Sequence, residues 1–137
     1  MKVTKTLDVP ADFFYKRVID SVLFDIRKQT GKTVPVAALK GFKYRKDFGN
    51  GNSADIEITQ AIQNQSYHYK TVSNRNTYEA SYNIFPIDDK SIKVVYSEHV
   101  KAANSMQRTN DIIVQMLLGF LRKRNCKKML SQIAASY

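Results

Sequence analysis

A chain of 137 residues has the size of one domain, long enough to bury roughly two thirds of the surface its unfolded form exposes. Its single cysteine, Cys126, excludes an internal disulfide and a cysteine-built metal cluster, so a reducing cytoplasm is the expected compartment. With 22 basic and 12 acidic residues the net charge is +10, which attracts anions of any kind without choosing between nucleic acid, acidic lipid and small anion. Met1 to Val9 is short, polar and alternating and reads as no signal segment. The longest apolar stretch, Ile112 to Leu121, falls well short of the ~20 residues a membrane span needs.

Lys2 to Asp8 alternates, with Val3 and Leu7 on one face, and predicts an edge strand. Pro10 suits the first turn of a helix, with Asp8 as a nearby capping oxygen, and the helix is expected from Ala11 to Gln29, stopped by Thr30-Gly31. Phe14, Val18, Val22 and Ile26 form its core-facing stripe, widened by Phe13, Ile19 and Leu23, while Lys16, Arg17, Asp20, Arg27 and Lys28 face water. Pro35 to Lys40 predicts one helical turn closed by Gly41. The period then changes to two. Phe42, Tyr44 and Phe48 share one face, and Gly49-Asn50-Gly51-Asn52-Ser53 marks a turn. Ala54, Ile56, Ile58 and Ile62 point inward next, followed by Tyr67, Tyr69 and Thr71 after a turn at Asn64-Gln65. A turn at Asn74-Arg75-Asn76 leads to Tyr78, Ala80, Tyr82 and Ile84, and Asp88-Asp89 to Ile92, Val94, Tyr96, Glu98 and Val100. Five strands joined by short turns make an antiparallel meander. From about Asn110 to Ser136 a last helix runs uninterrupted by proline, roughly 40 Å long. The expected class is α+β: residues 1–137 as one domain, with a curved antiparallel sheet of about six strands wrapped on a long C-terminal helix.

This order of strand, helix opened by Val-Pro-Ala-Asp, meander and long helix resembles the helix-grip fold of the START-like superfamily. Lipid-transfer domains, the birch-pollen-allergen type and polyketide cyclases share it. More narrowly, Asn74-Arg75-Asn76-Thr77, Tyr82-Asn83-Ile84, Pro86-Ile87-Asp88-Asp89-Lys90 and Leu118-Gly119-Phe120-Leu121 resemble a family of small START-like proteins of unknown function from Gram-positive bacteria. The resemblance implies a hydrophobic cavity between sheet and last helix and no assigned catalytic residue. Seven strands are usual in the superfamily, so either a short strand lies near Thr33–Val36 or the sheet is trimmed to six.

The last helix carries one full-length stripe of Ile112, Met116, Gly119, Cys126, Leu130, Ile133 and Tyr137. Its first half is apolar nearly all round, so first helix, sheet, ligand or a second subunit in a homodimer must cover the extra face. Met116, Leu117, Gly119 and Phe120 are therefore candidates to border a ligand. Gly119 costs about 1 kcal/mol in mid-helix, which fits either close backbone packing or room for that ligand.

Tyr44, Tyr67, Tyr69, Tyr78, Tyr82 and Tyr96 share the inward faces of the strands. A sealed core would use Phe, Ile or Leu there, because each buried hydroxyl needs a partner. They wall a pocket or stand at a sheet rim. Glu98, inward between Tyr96 and Val100, is the candidate to fix a ligand hydroxyl or amine, or to act as general acid/base; its bland readings are a solvent-turned strand end or a pair with Arg108. Arg122, Arg124 and Lys128, with Lys123 and Lys127, complement the helix dipole or bind an anion.

No metal or cofactor is expected. His68 and His99 face outward without a partner at ligand spacing, and Gly49-Asn50-Gly51-Asn52 lacks the helix that follows a phosphate loop. The favoured reading is a ligand-binding module for a small apolar, amphipathic or lipid-like molecule. The alternatives are a cyclase- or dehydratase-like enzyme using Glu98, or an anion- or nucleic-acid-binding protein using the basic helix end.

Overall fold

The computed structural model describes residues 1–49, 51–102 and 123–137. In chain order the elements are β1 (Lys2–Leu7), α1 (Ala11–Thr30), a short 3-10 turn (Val36–Ala38), β2 (Lys43–Gly49), β3 (Asn52–Ile62), β4 (Ser66–Val72), β5 (Asn76–Asp88) and β6 (Ser91–Ala102). Residues 123–135 form a further helix, α2. The start expected for that helix at Asn110 lies outside the described residues.

The six strands make one sheet in the order β1-β6-β5-β4-β3-β2, every pair antiparallel. Short turns dictate the run from β2 to β6, whereas β1 joins at the far edge and pairs Lys2 with Ser97 and Leu7 with Ile92. Helix α1 connects the two outer strands. Its 20 residues span ~30 Å, a little more than the ~24 Å of the inter-strand spacings that separate β1 from β2. The helix is long enough to cross the sheet's inward face in one pass. No seventh strand forms at Thr33–Val36: Pro35 caps the 3-10 turn there, and the missing N–H of proline donates to no ladder.

Phe14, Val18, Ile19 and Ile26 of α1 are buried, with Phe13, Val22 and Leu23 partly so. Tyr15, which the helical stripe omits, is buried as well. The helix begins at Pro10 without a side-chain cap, so Asp8 does not fill the capping role expected of it; Asp12 accepts the Phe13 N–H at 2.7 Å instead. It ends at Gly31, whose φ of +73° and N–H bond to Arg27 O at 2.8 Å close the last turn. The α2 helix docks through Cys126 and Leu130, with Met129, Ile133 and Ala134 packed beside them. Tyr137, placed on that stripe by spacing, is largely exposed and meets the Phe13 ring edge-on at 4.7 Å.

Simple alternation fails in β3. The ladder with β4 shifts between Ile58 and Gln60, so Thr59 is an extra residue and the faces exchange beyond it. Ala61, opposite Tyr67, then packs on the core and Ile62 is exposed, the reverse of the expected pattern.

Candidate ligand site

The inward face of the sheet can be read as rows of side chains set by the register. One row runs Tyr44, Ile56, Thr71, Tyr78, Val100 across β2 to β6. The next runs Ile58, Tyr69, Ala80, Glu98, and the third Ala61, Tyr67, Tyr82, Tyr96. Ala80 is the small residue between Tyr69 and Glu98 in the second row. Neighbouring rings touch: Tyr67 lies 5.6 Å from Tyr69 and 6.3 Å from Tyr82, and Tyr82 lies 4.9 Å from Tyr96, centroid to centroid. Such tilted contacts suit the ring quadrupoles.

Between these rows and α1 lies an open cavity of about 610 Å³. Tyr44, Tyr67, Tyr69, Tyr78 and Tyr82 border it from the sheet, and Val18, Ser21, Val22, Phe24 and Asp25 from α1. Phe24 and Phe48 stand at its rim, 69% and 54% exposed. A second volume of about 520 Å³ shares Val18, Ser21, Phe24 and Tyr82 and reaches Met129 and Ile133 of α2. Tyr96 is buried behind the first cavity rather than on its wall.

Burial sets the polar chemistry here. Tyr44 donates to Asp25 Oδ2 at 2.6 Å, and Lys46 Nζ pairs with Asp25 Oδ1 at 3.0 Å. Tyr96 donates to Glu98 Oε1 at 2.7 Å, and its oxygen lies 3.2 Å from that of Tyr78. Tyr82 reaches Met129 Sδ at 3.9 Å. Loss of solvent is the first cause that pushes the phenols of Tyr44, Tyr67, Tyr69, Tyr78, Tyr82 and Tyr96 up; the negative charge of Asp25 or Glu98 adds to it. Burial, then Glu98, also raises the Cys126 thiol to about 11.

Met116, Leu117, Gly119, Phe120 and Arg122 lie outside the described residues. Arg124 and Lys128 are exposed on α2, away from both volumes, together with Lys123 and Lys127. His68 faces outward and contacts Asn83 Oδ1 at 2.9 Å; His99 sits on the same outer face, opposite Glu79. Among the described residues no group of His, Cys, Asp and Glu could hold a metal ion, and no helix is long and apolar enough to cross a membrane.

Sequence reasoning missed Asp25 and Lys46. The signal for Asp25 was its place in the helical pattern, three residues after Val22 and seven after Val18, which puts a carboxylate on the apolar stripe. Lys46 shares the inward parity of Tyr44 and Phe48 in β2.

Residues 1–119 match the model of a protein family described as Domain of unknown function (DUF3284). The chain belongs to that family. A comparison with curated proteins gives no match. Solved structures similar to this DUF3284 chain include norcoclaurine synthase of Thalictrum flavum with a transition-state analogue, at TM-score 0.63 and 9% identity over 99% of this chain and 93% of that one. The Zhui aromatase/cyclase of Streptomyces sp. R1128 is similar at TM-score 0.57 and 12% identity, over 99% and 91%. A conserved protein from Geobacillus kaustophilus follows at 0.52 and 16%, over 98% and 95%. Identities this low speak for the fold alone, and that fold is the START-like helix-grip architecture.

Proposed function

We propose that this protein binds a small amphipathic molecule, apolar or lipid-like over most of its surface, in the cavity between α1 and the tyrosine rows. The observation that carries the reading is a volume of about 610 Å³ walled by five tyrosines where a filled core would hold Phe, Ile or Leu. That volume lies within the ~300–1,000 Å³ of small-molecule sites, and its apolar walls with a few fixed polar groups match their make-up. The exposed rings of Phe24 and Phe48 give an apolar ligand a surface to meet first. Norcoclaurine synthase has been solved on the same fold in complex with dopamine and hydroxybenzaldehyde, which supports a small-molecule role.

Native mass spectrometry of the purified protein, with displacement of the neutral fluorophore phenylnaphthylamine, tests the reading. Co-purified mass or saturable displacement is the expected result. A protein that carries no ligand and takes up no fluorophore would refute it.

A second reading rests on one further observation. Tyr78 borders the cavity, contacts Tyr96, and Tyr96 donates to Glu98, so a proton path joins the cavity wall to a half-buried carboxylate. Such a path suits proton abstraction beside a carbonyl, the step a cyclase or dehydratase requires. The probe is deuterium exchange at the methyl group of acetophenone, which wild type accelerates and Glu98→Gln does not.

A further inference from the structure

The hydrogen bonds at the cavity wall have a fixed direction, and that direction selects the ligand. A phenol has one proton. Tyr44 gives its proton to Asp25, a carboxylate oxygen that can only accept. Tyr96 gives its proton to Glu98 at 2.7 Å, and the proton of Tyr78 turns to the same inward pair, the Tyr96 oxygen at 3.2 Å or Glu98. Two of the five cavity-lining phenols, Tyr44 and Tyr78, therefore have their protons turned into the protein. What each can still offer a neighbour is an oxygen lone pair.

These two positions belong to one cross-strand row, three strands apart, or roughly 14 Å on the usual strand spacing. Thr71 lies between them in the same row and also borders the cavity. Its hydroxyl can turn either way, as can that of Tyr67 in the next row but one. The ammonium of Lys46, outside the Tyr44–Tyr78 row, pairs with Asp25 Oδ1 at 3.0 Å and keeps further N–H donors at the cavity. Within the Tyr44–Tyr78 row itself the two phenols of fixed polarity are thus acceptors, and Thr71 between them adapts.

We infer that the ligand is a hydrogen-bond donor at its polar end, a hydroxyl- or amine-bearing molecule, and that the Tyr44–Tyr78 row discriminates against its O-alkylated counterpart. This inference rests on the binding reading proposed above. A ligand whose polar end only accepts sets lone pairs against lone pairs at Tyr44 or Tyr78 and leaves a desolvated acceptor unpaired. An apolar pocket cannot tell a hydroxyl from its ether by shape alone, whereas a polar site with fixed direction can.

The test titrates the full chain with naphthol and with its methyl ether, followed by protein NMR shifts. The aromatic body is the same, and the difference is one O–H. Wild type is expected to bind naphthol about tenfold more tightly, the ratio that corresponds to one hydrogen bond in a buried site. Tyr78→Phe or Tyr44→Phe should reduce that ratio by weakening naphthol while leaving the ether unchanged. Two single variants are used, so that misfolding of one, read from its melting curve, leaves the other. An ether that binds wild type as tightly as naphthol overturns the donor preference and leaves the cavity reading standing. Retention of the full ratio in both variants removes these two residues as its source and overturns the inference. Binding of neither compound overturns the inference and the cavity reading together.

Discussion

Glu98 shows how far one residue can be read from its neighbours in sequence. Alternation along β6 placed it inward next to Tyr96, and the structure adds the bond from the Tyr96 hydroxyl at 2.7 Å. Glu98→Gln keeps an oxygen for that hydroxyl but removes the basic carboxylate. If the proton path through Tyr78 and Tyr96 is used, exchange of acetophenone falls to the background rate while the melting temperature stays within a few degrees. Glu98→Ala is the contrasting variant: it leaves a desolvated phenol without its acceptor and costs about 1–3 kcal/mol. An equal loss of stability in both variants would assign Glu98 to structure. Asp25 was harder to see, because a carboxylate on a helix is ordinary and only the opposite element shows what it faces. Its partners Tyr44 and Lys46 lie 19 and 21 residues further along, in β2, beyond any local pattern.

At the scale of elements, periodicity was most informative where one face is buried and the other wet. The α1 stripe, the four turns of the chain from β2 to β6 and the inward sets of β5 and β6 follow directly from it. It failed at Thr59, since a bulge is one unpaired residue and no composition rule marks it; everything beyond that point in β3 exchanged faces. The stop of α1 was legible because only glycine takes its conformation without strain. Gly31 has φ +73°, and an added Cβ would meet nothing within 4 Å, so the cost of Gly31→Ala is conformational rather than steric. That substitution is expected to lower stability by about 1 kcal/mol in urea denaturation, with Gly31→Asn losing less. An unchanged midpoint for the alanine variant would mean that the last turn of α1 contributes nothing to the folded state.

For the molecule as a whole, the clustering of phenols turns stability into a function of alkaline pH. Seven tyrosines, Tyr15, Tyr44, Tyr67, Tyr69, Tyr78, Tyr82 and Tyr96, have raised values, first of all because burial penalises the phenolate. A raised value in the folded state means that the neutral form is favoured there. The contribution is complete below the unfolded value of ~10 and is lost as pH rises through the folded ones. Cys126, raised from 9.0 to about 11, begins the decline slightly earlier. Melting temperature should be level from neutral pH to about 9 and fall steeply above about 10. Phenolate absorbance should appear together with unfolding. Phenols that ionise near pH 10 in a chain still folded by circular dichroism would show instead that water already fills the cavity.

Among the described residues, the sheet order leaves β1 and β2 as the two outer strands, each with one strand neighbour. An outer strand offers a row of unpaired N–H and C=O groups to any other chain that drifts past, and a protein built on one open sheet has two such rows. Both carry cations along their length: Lys2 and Lys5 on β1, and Lys43, Arg45 and Lys46 on β2. The ladder of β2 also shifts register between Asp47 and Gly49. Arg45 and Lys46 are paired with Asp55 and Asp25, which leaves Lys43 with Lys2 and Lys5 to set like charges in opposition when edges approach, and the irregular end of β2 would not match a straight partner. Positive charge on both edges thereby disfavours strand-to-strand addition between copies of this chain.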